Sequence, residues 1–322
     1  MKISVVIAAY NGFDHIREQL ESIRNQSIVP HEIVISDDGS TDNTCGIADE
    51  FARNTPDINV VMIQNSAPHG VDHNFANALR HASGDVIFIC DQDDVWLPNR
   101  VETMLSVFDG KTPAATFCDS SIVDADLKPL GFTHIQSRGF SSVKECFSCG
   151  SKAFLKRVPP AGHDMAFSRE FLDILLPFPD LRDCYDTWIG LVLYALGAWK
   201  FSCDQPLTLF RRHQKSVTRS GLIPSFSEKL ALAKKAVKDD TSNWYALLYA
   251  ELISRTQNRI TPEMLKLLEA RRRHSMTRSM MNTAFFKRTK LVLQETFNGN
   301  YFRFGRSFSN IFQDLLLRRP QK

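Results

Sequence analysis

The hydrophobic pattern of the first hundred residues is a series of short apolar runs separated by amphipathic stretches. Ile3-Ser4-Val5-Val6-Ile7-Ala8-Ala9 reads as a buried strand stopped by the turn former Asn11-Gly12. Ile16, Leu20 and Ile23 then recur at helical spacing, with Asp14 placed to cap. Glu32 to Ser36 is a second strand, a helix runs through Ile47, Ala48 and Phe51, and Asn59 to Ile63 is a third strand. Asp72 to His81 is a helix with Phe75, Leu79 and Ala82 inward, and Val86-Ile87-Phe88-Ile89-Cys90 reads as a strand buried on both faces. Pro98 opens a further helix, and Ala114 to Cys118 is a strand ending at Asp119. Alternating strands and helices with short connections predict an α/β fold, a mostly parallel sheet flanked by helices.

Later the pattern loosens. Residues 120–160 carry Gly131, Gly139, Gly150 and Pro159-Pro160 and predict an irregular region over a site. A helix is expected up to Leu176, and Asp186 is placed to cap an apolar helix from Trp188 to Leu196. Short strands follow at Trp199–Cys203 and Leu207–Phe210, and beyond Ser225 the pattern is helical to the end. Two domains are expected, residues 1–220 and a helical extension over 221–322.

Charge separates the same two regions. Residues 255–322 hold 15 Lys and Arg against 4 Asp and Glu, while the whole chain of 322 residues nets only +3. A basic extension on an acidic body suits an anionic partner, and basic residues beside Met280-Met281, Phe285-Phe286 and Leu291-Val292-Leu293 suit an interfacial helix on anionic lipid. The alternative is a packed helical subdomain whose charges are solvated. No nucleic-acid-binding motif is visible. The apolar run Ile189–Trp199 falls short of the ~20 residues that span a bilayer. No signal peptide precedes the first strand, and seven scattered cysteines suit a reduced, cytoplasmic chain. The Cys146-x-x-Cys149 pair lacks the second half of a zinc site.

The candidate chemistry lies at strand ends. Asp91-Gln92-Asp93-Asp94 follows the most apolar strand, at the end where open α/β sheets place ligands. In extended chain Asp91 and Asp93 share a side and Gln92 points away, so the pair is a candidate for Mg²⁺ or Mn²⁺. The alternative is a solvated acidic turn. A dinucleotide-binding glycine fingerprint is absent after strand one, and Gly110-Lys111-Thr112 lacks the earlier glycine of a phosphate loop.

Ala8-Ala9-Tyr10-Asn11, Ser36-Asp37-Asp38-Gly39-Ser40-Thr41-Asp42 and Asp91-Gln92-Asp93-Asp94-Val95-Trp96 together resemble family 2 glycosyltransferases of the GT-A fold. The stretch from Gly70 through Asn74-Phe75 to Trp96 is especially similar to bacterial rhamnosyltransferase-like members. The resemblance implies a nucleotide-sugar site and inverting transfer to a glycan or lipid-linked acceptor in surface-polysaccharide assembly. Ala9, Tyr10, Asn11 and Asn74 would line it, and Asp37 or Asp38 would accept a hydrogen bond from a pyrimidine imide. Asp42 reads instead as a helix cap. Asp91 and Asp93 would hold a divalent cation, with Asp94 as a ribose or supporting contact. Cys184-Tyr185-Asp186-Thr187-Trp188 resembles the family's His-Asp-Trp-Trp segment and makes Asp186 the general base, departing from it at Tyr185 and Thr187. Asp183 is its rival. Phe210-Arg211-Arg212-His213 resembles the family's Tyr-Arg-x-His and would set Arg211 and His213 beside the diphosphate. The competing readings are a catalytically silent nucleotide-sugar-binding protein and a nucleotidyltransferase.

Overall fold

The computed structural model describes residues 1–66, 68–156, 160–181, 185–213, 226–305 and 308–318, with side chains for all of these except 226–229. The chain forms two compact units, Met1–Ser148 with Pro159–Leu222, and Cys149–Val158 with Ile223–Lys322.

In the first unit β1 (Ile3–Ala9), α1 (Ile16–Arg24), β2 (Glu32–Asp37), α2 (Thr44–Asn54), β3 (Asn59–Gln64), α3 (Val71–His81) and β4 (Val86–Cys90) alternate. They build a parallel sheet in the order β3-β2-β1-β4. Ile3, Val5, Ile7 and Ala9 of β1 form one face of the core with Ile16, Leu20 and Ile23 of α1 and Phe51 of α2. Alternate residues of a strand point oppositely, so Val6 and Val34 serve the other face, where α3 packs against β1 and β2. The buried Glu32 carboxylate is satisfied by Ser4, Ser83 Oγ and the Ser83 N–H. A Cβ on Gly84 would stand 2.6 Å from Ser4 Oγ, so only glycine closes the turn into β4 there.

After β5 (Val95–Trp96), α4 (Arg100–Leu105) and β6 (Ala115–Phe117), the region expected to be irregular contains β7 (Asp119–Val123), β8 (Pro129–Thr133), α5 (His134–Ser137) and α6 (Val143–Cys149). In a second sheet β7 lies between β8 and β10 (Pro206–Arg211), and β10 also pairs with β5. Two features hid these strands. β7 buries Asp119 and Ser120, polar residues at inward positions, and β8 carries Pro129 and Gly131, the latter at φ +85°. Between these strands α7 (Ser151–Phe154), β9 (Met165–Ser168), α8 (Leu172–Leu175) and α9 (Tyr185–Ala195) follow in chain order. β9 runs antiparallel between β4 and β6 and completes six strands in the first sheet.

Several expected boundaries move. His15, not Asp14, is the N-cap residue of α1 and makes no side-chain cap bond. Pro98 precedes Asn99, the N-cap residue of α4, rather than opening the helix. Trp199 contributes only an isolated bridge to Ala115 in place of a strand. Asp186 lies inside the first turn of α9, and Asp183 lies outside the described residues.

The second unit continues with α10 (Phe226–Lys238), α11 (Thr241–Thr256), α12 (Pro262–Ser279), α13 (Phe285–Phe297), α14 (Asn300–Phe304) and α15 (Phe308–Phe312). Part of its basic charge is internal. Arg271 is 6% exposed and donates to the Leu155 carbonyl at 3.1 Å. The buried Asp314 carboxylate takes Arg278, Arg318 and the Tyr301 hydroxyl at 2.6–3.1 Å. Buried carboxylates need such partners, so these arginines hold helices together instead of facing solvent. Among the described residues no helix is long and apolar enough to cross a membrane.

Candidate functional site

β1 and β4 are parallel neighbours, with Ile7 opposite Cys90, so Tyr10 and the acidic run leave the sheet at the same edge. Gln92 joins the two exits. It accepts from the Tyr10 N–H and donates to the Tyr10 carbonyl, both at 3.0 Å. It therefore turns toward the first strand rather than away. A Cβ on Gly12 would stand 2.3 Å from the Gln92 amide oxygen, so a side chain there would push the Gln92 amide off its bridge. Asn11 at φ +48° accepts from the Thr41 N–H at 2.9 Å and ties this turn to the next loop. Tyr10 is 55% exposed beside it.

The loop after β2 is built around its two aspartates. Asp37 is buried and accepts from the backbone of Gly39 and Ser40 and from Gln64. Asp38 accepts from Asn65 at 2.6 Å, His69 at 2.9 Å and the Gly70 N–H at 2.8 Å. The Asp38 N–H and the Asn74 amide both donate to the Ala9 carbonyl, at 2.9 and 3.0 Å. Ala9 and Asn74 thus meet in the framework under the site, both buried. Asp42 accepts from the Thr44 N–H at 3.0 Å but is not the cap expected of it, since Asn43 is the N-cap residue of α2 and makes no side-chain cap bond.

Residues 91–94 form a turn, not an extended strand, so alternation does not govern them. Asp91 and Asp93 are half-buried and Asp94 fully buried. Asp91 Oδ2 faces His163 Nδ1 at 3.5 Å, while Asp93 Oδ2 meets His213 Nε2 at 2.7 Å. His213 lies against His15, ring centroids 4.7 Å apart. Asp94 accepts from the Arg211 N–H at 3.0 Å through one oxygen and leaves the other without a partner. Burial holds its carboxyl well above the usual carboxylate range. Arg211 is inward too. It donates to the Asp93 carbonyl at 2.9 Å, to the Ala125 carbonyl at 2.7 Å and to Glu18. Its guanidinium fixes the acidic turn from behind and does not open onto the site.

The sequence reading missed a buried polar cluster beneath this turn. His163 and Asp164 come from the short helical turn Gly162–Asp164 ahead of β9. His163 Nε2 lies 3.3 Å from Asp164 Oδ2 and 3.2 Å from Ser120 Oγ. Burial works against a charged imidazole here, but the ionised Asp164 outweighs it and holds His163 well above its ordinary range. Arg100, also fully buried, stacks 4.1 Å from the Trp96 ring and donates to the His163 carbonyl at 2.5 Å. A His-Asp pair directly before the apolar run Met165-Ala166-Phe167 was the visible signal, because such a pair is rarely buried without a cation or donor to satisfy it.

Asp91, Asp94 and His163 each offer a ligand atom within 4.8 Å of one another. Hard carboxylates with an imidazole suit a divalent cation, and the orphaned Asp94 oxygen would gain a partner. Asp93 is outside that group and pairs with His213 nearer solvent.

α9 brings the remaining candidate. The Tyr185 N–H donates to Asp72 Oδ1 at 3.2 Å, and its ring stacks on Phe75 with centroids 4.5 Å apart. A Cβ on Gly162 would lie 2.2 Å from the Tyr185 hydroxyl, so the start of α9 seats directly on that glycine. Asp186, one residue on, accepts from the Thr187 N–H at 2.5 Å, and burial raises its carboxyl above the ordinary aspartate value.

Asp119, at the head of β7, yields a stability prediction. Its Oδ1 accepts from the Ser120 and Ile135 N–H groups at 2.8 and 3.0 Å, yet burial pushes its carboxyl up to about 6. In the unfolded chain it ionises near ~3.9. The stability of its neutral form is therefore complete below that value and lost as pH rises through 6, by at most ~3 kcal/mol. Asp119→Asn keeps the acceptor and removes the charge. We expect it to raise the melting temperature at pH 7.5 and not at pH 4; equal shifts at both would contradict this.

An open, mostly parallel sheet with an acidic turn at the carboxyl end of β4 fits the GT-A fold that the resemblance implies. The structure is similar to that of S. aureus TarS (residues 1-349) in complex with UDP-GlcNAc, with a TM-score of 0.55 and 15% identity over 99% of this chain and 90% of that one. Residues 4–174, more than half the chain, match the profile of glycosyl transferase family 2. The chain belongs to that family. It is 27% identical over 218 residues to an uncharacterised glycosyltransferase of Nostoc sp. (strain PCC 7120), covering 66% of this chain and 65% of that protein. It is 36% identical over 102 residues to the dTDP-rhamnosyl transferase RfbG of Shigella flexneri, covering 31% of this chain and 35% of that protein. The chain thus spans less than two thirds of the length of either relative.

Proposed function

We propose that this protein is an inverting glycosyltransferase that moves a sugar from a nucleoside-diphosphate donor to a glycan or lipid-linked acceptor in bacterial surface-polysaccharide assembly. dTDP-rhamnose or a UDP-sugar is the proposed donor, in keeping with its likeness to RfbG and TarS. The observation that carries the reading is the Gln92 bridge, which fastens Tyr10 to the acidic turn at one sheet edge in a family 2 chain.

In this reading Tyr10 and Asn11 flank the base, with Ala9 and Asn74 as their support, and Asp38, the more accessible of the two aspartates after β2, takes the imide N–H. Asp91, common to the expected pair with Asp93 and to the cluster with Asp94 and His163, would hold the divalent cation, Mg²⁺ or Mn²⁺, with those partners. When bound it supplies positive charge against the departing diphosphate. His213, hydrogen-bonded to Asp93, orients that carboxylate, while Asp94 and Arg211 keep the turn in place from within. Asp186 takes the proton of the acceptor hydroxyl on the face opposite the leaving group. Peripheral contact of residues 255–322 with the cytoplasmic face of the membrane would bring the site to a lipid-linked acceptor.

A thermal-shift screen of nucleotide sugars with Mn²⁺ tests the donor assignment, since a ligand bound only by the folded state raises its apparent stability. A dTDP- or UDP-sugar should raise the melting temperature only when metal is present. If no nucleotide sugar does so, the reading fails; a shift without any donor hydrolysis would favour the silent binding protein.

A further inference from the structure

The second unit carries an apolar helix face that its own core leaves uncovered. Successive residues of a helix turn by ~100°, so positions 286, 290, 293 and 297 of α13 fall within a stripe about 60° wide. Phe286 is 86% exposed, Leu293 51% and Phe297 85%. The opposite side of α13 is fully engaged. Val292 packs with Met281 and Tyr301, and Glu295 is buried against His274. Arg288, also buried, donates to the Thr283 carbonyl at 3.2 Å. Exposing two phenylalanines and a leucine in one stripe is not explained by packing.

Charge says what the stripe faces. The only acid on α13 is the buried Glu295, so its exposed side carries Lys287 and Lys290 with no countercharge of its own. Arg303 on α14 is exposed as well. At 13 residues, α13 is ~20 Å long, too short to cross a bilayer and suited to lie in its surface. We propose that α13 lies in the interface of an anionic lipid bilayer, with Phe286, Leu293 and Phe297 in the acyl boundary and Lys287 and Lys290 among the head groups. The buried Arg271 and Arg288 take no part, so the membrane-facing charge is a small subset of the basic extension. This surface deepens the reading of a lipid-linked acceptor, which gives it a purpose.

The test is flotation of the full chain, without donor, on vesicles of phosphatidylcholine alone or with phosphatidylglycerol. Binding should require phosphatidylglycerol and fall as salt rises. Lys287→Gln/Lys290→Gln should weaken it by about fivefold per lysine, the ratio equivalent to the ~1 kcal/mol of each such contact. Phe286→Ser/Phe297→Ser should weaken it at least about tenfold. Both variants change solvent-facing side chains and should keep the parent melting temperature and hydrolysis of soluble donor. Absence of vesicle binding by the parent, or binding that neither variant alters, would overturn the proposal. So would dimers in lipid-free solution that the phenylalanine variant dissolves while no vesicle is bound, because the stripe would then be a contact between copies. Flotation with no donor hydrolysis would leave the surface standing and remove the transferase reading instead.

Discussion

Asp91→Asn is expected to lower sugar transfer by ~10³-fold or more, the equivalent of several kcal/mol of charge stabilisation at the leaving group. The substitution exchanges a charged oxygen ligand for a neutral amide of the same size. Asp91 also faces His163 Nδ1 at 3.5 Å, so the change removes one countercharge from a buried imidazole that Asp164 still supports. A modest loss of stability should accompany the loss of rate without unfolding the chain. Asp93→Asn should behave similarly toward metal, but its amide oxygen can still accept from His213, so the turn should stay intact. The measurement is Mn²⁺ affinity by calorimetry beside transfer rate, in metal-depleted buffer restored with Mn²⁺. Near-full transfer by either variant would remove that residue from the ligand set. Activity that survives thorough chelation of the parent would reject metal dependence altogether.

How far the site was legible before the structure depends on what encoded each part. The first four strands are written in short, mainly apolar runs, and the sheet β3-β2-β1-β4 places them as alternation of strand and helix requires. The second sheet was not legible, because β7 buries Asp119 and Ser120 against polar partners from distant segments. Apolar periodicity reports burial only where burial is apolar. The same limit explains the acidic run. Its position after β4 could be read directly, but the direction of each carboxylate depends on a turn and on partners far away in sequence. Asp94 turns inward to Arg211, 117 residues on, and Asp93 meets His213, 120 residues on. Arg211 itself resembled a diphosphate contact by motif, and the structure commits its guanidinium to Asp93, Ala125 and Glu18. Basic residues near the end of the chain show the converse. Composition counts Arg271, Arg278 and Arg318 as surface charge, whereas all three make internal hydrogen bonds.

Asp186→Asn should lower transfer by about 10²–10⁴-fold while leaving donor affinity within about twofold of the parent, the range expected when a general base is removed and binding is not. The fold should tolerate it. Asp186 sits in the first turn of α9, and its Oδ1 accepts from the Thr187 N–H, which an asparagine oxygen can also do. The helix start is held by neighbours that the change does not touch, Tyr185 on Phe75 and on Gly162. Burial raises the Asp186 carboxyl above the ordinary aspartate value, and the nearby Arg138 only partly offsets this. A base must be ionised to accept a proton, so the rate of the parent should fall on the acid side, through a pKa above the ~3.9 of a free aspartate. Donor binding, which needs the carboxylates of the acidic turn, should not follow the same curve. Asp183→Asn should cost much less in rate and leave the acid limb where it was. Rate and donor affinity as a function of pH, for the parent and both variants, decide the matter. If Asp186→Asn keeps most of its rate, or loses donor binding as severely as rate, the proton acceptor is another residue.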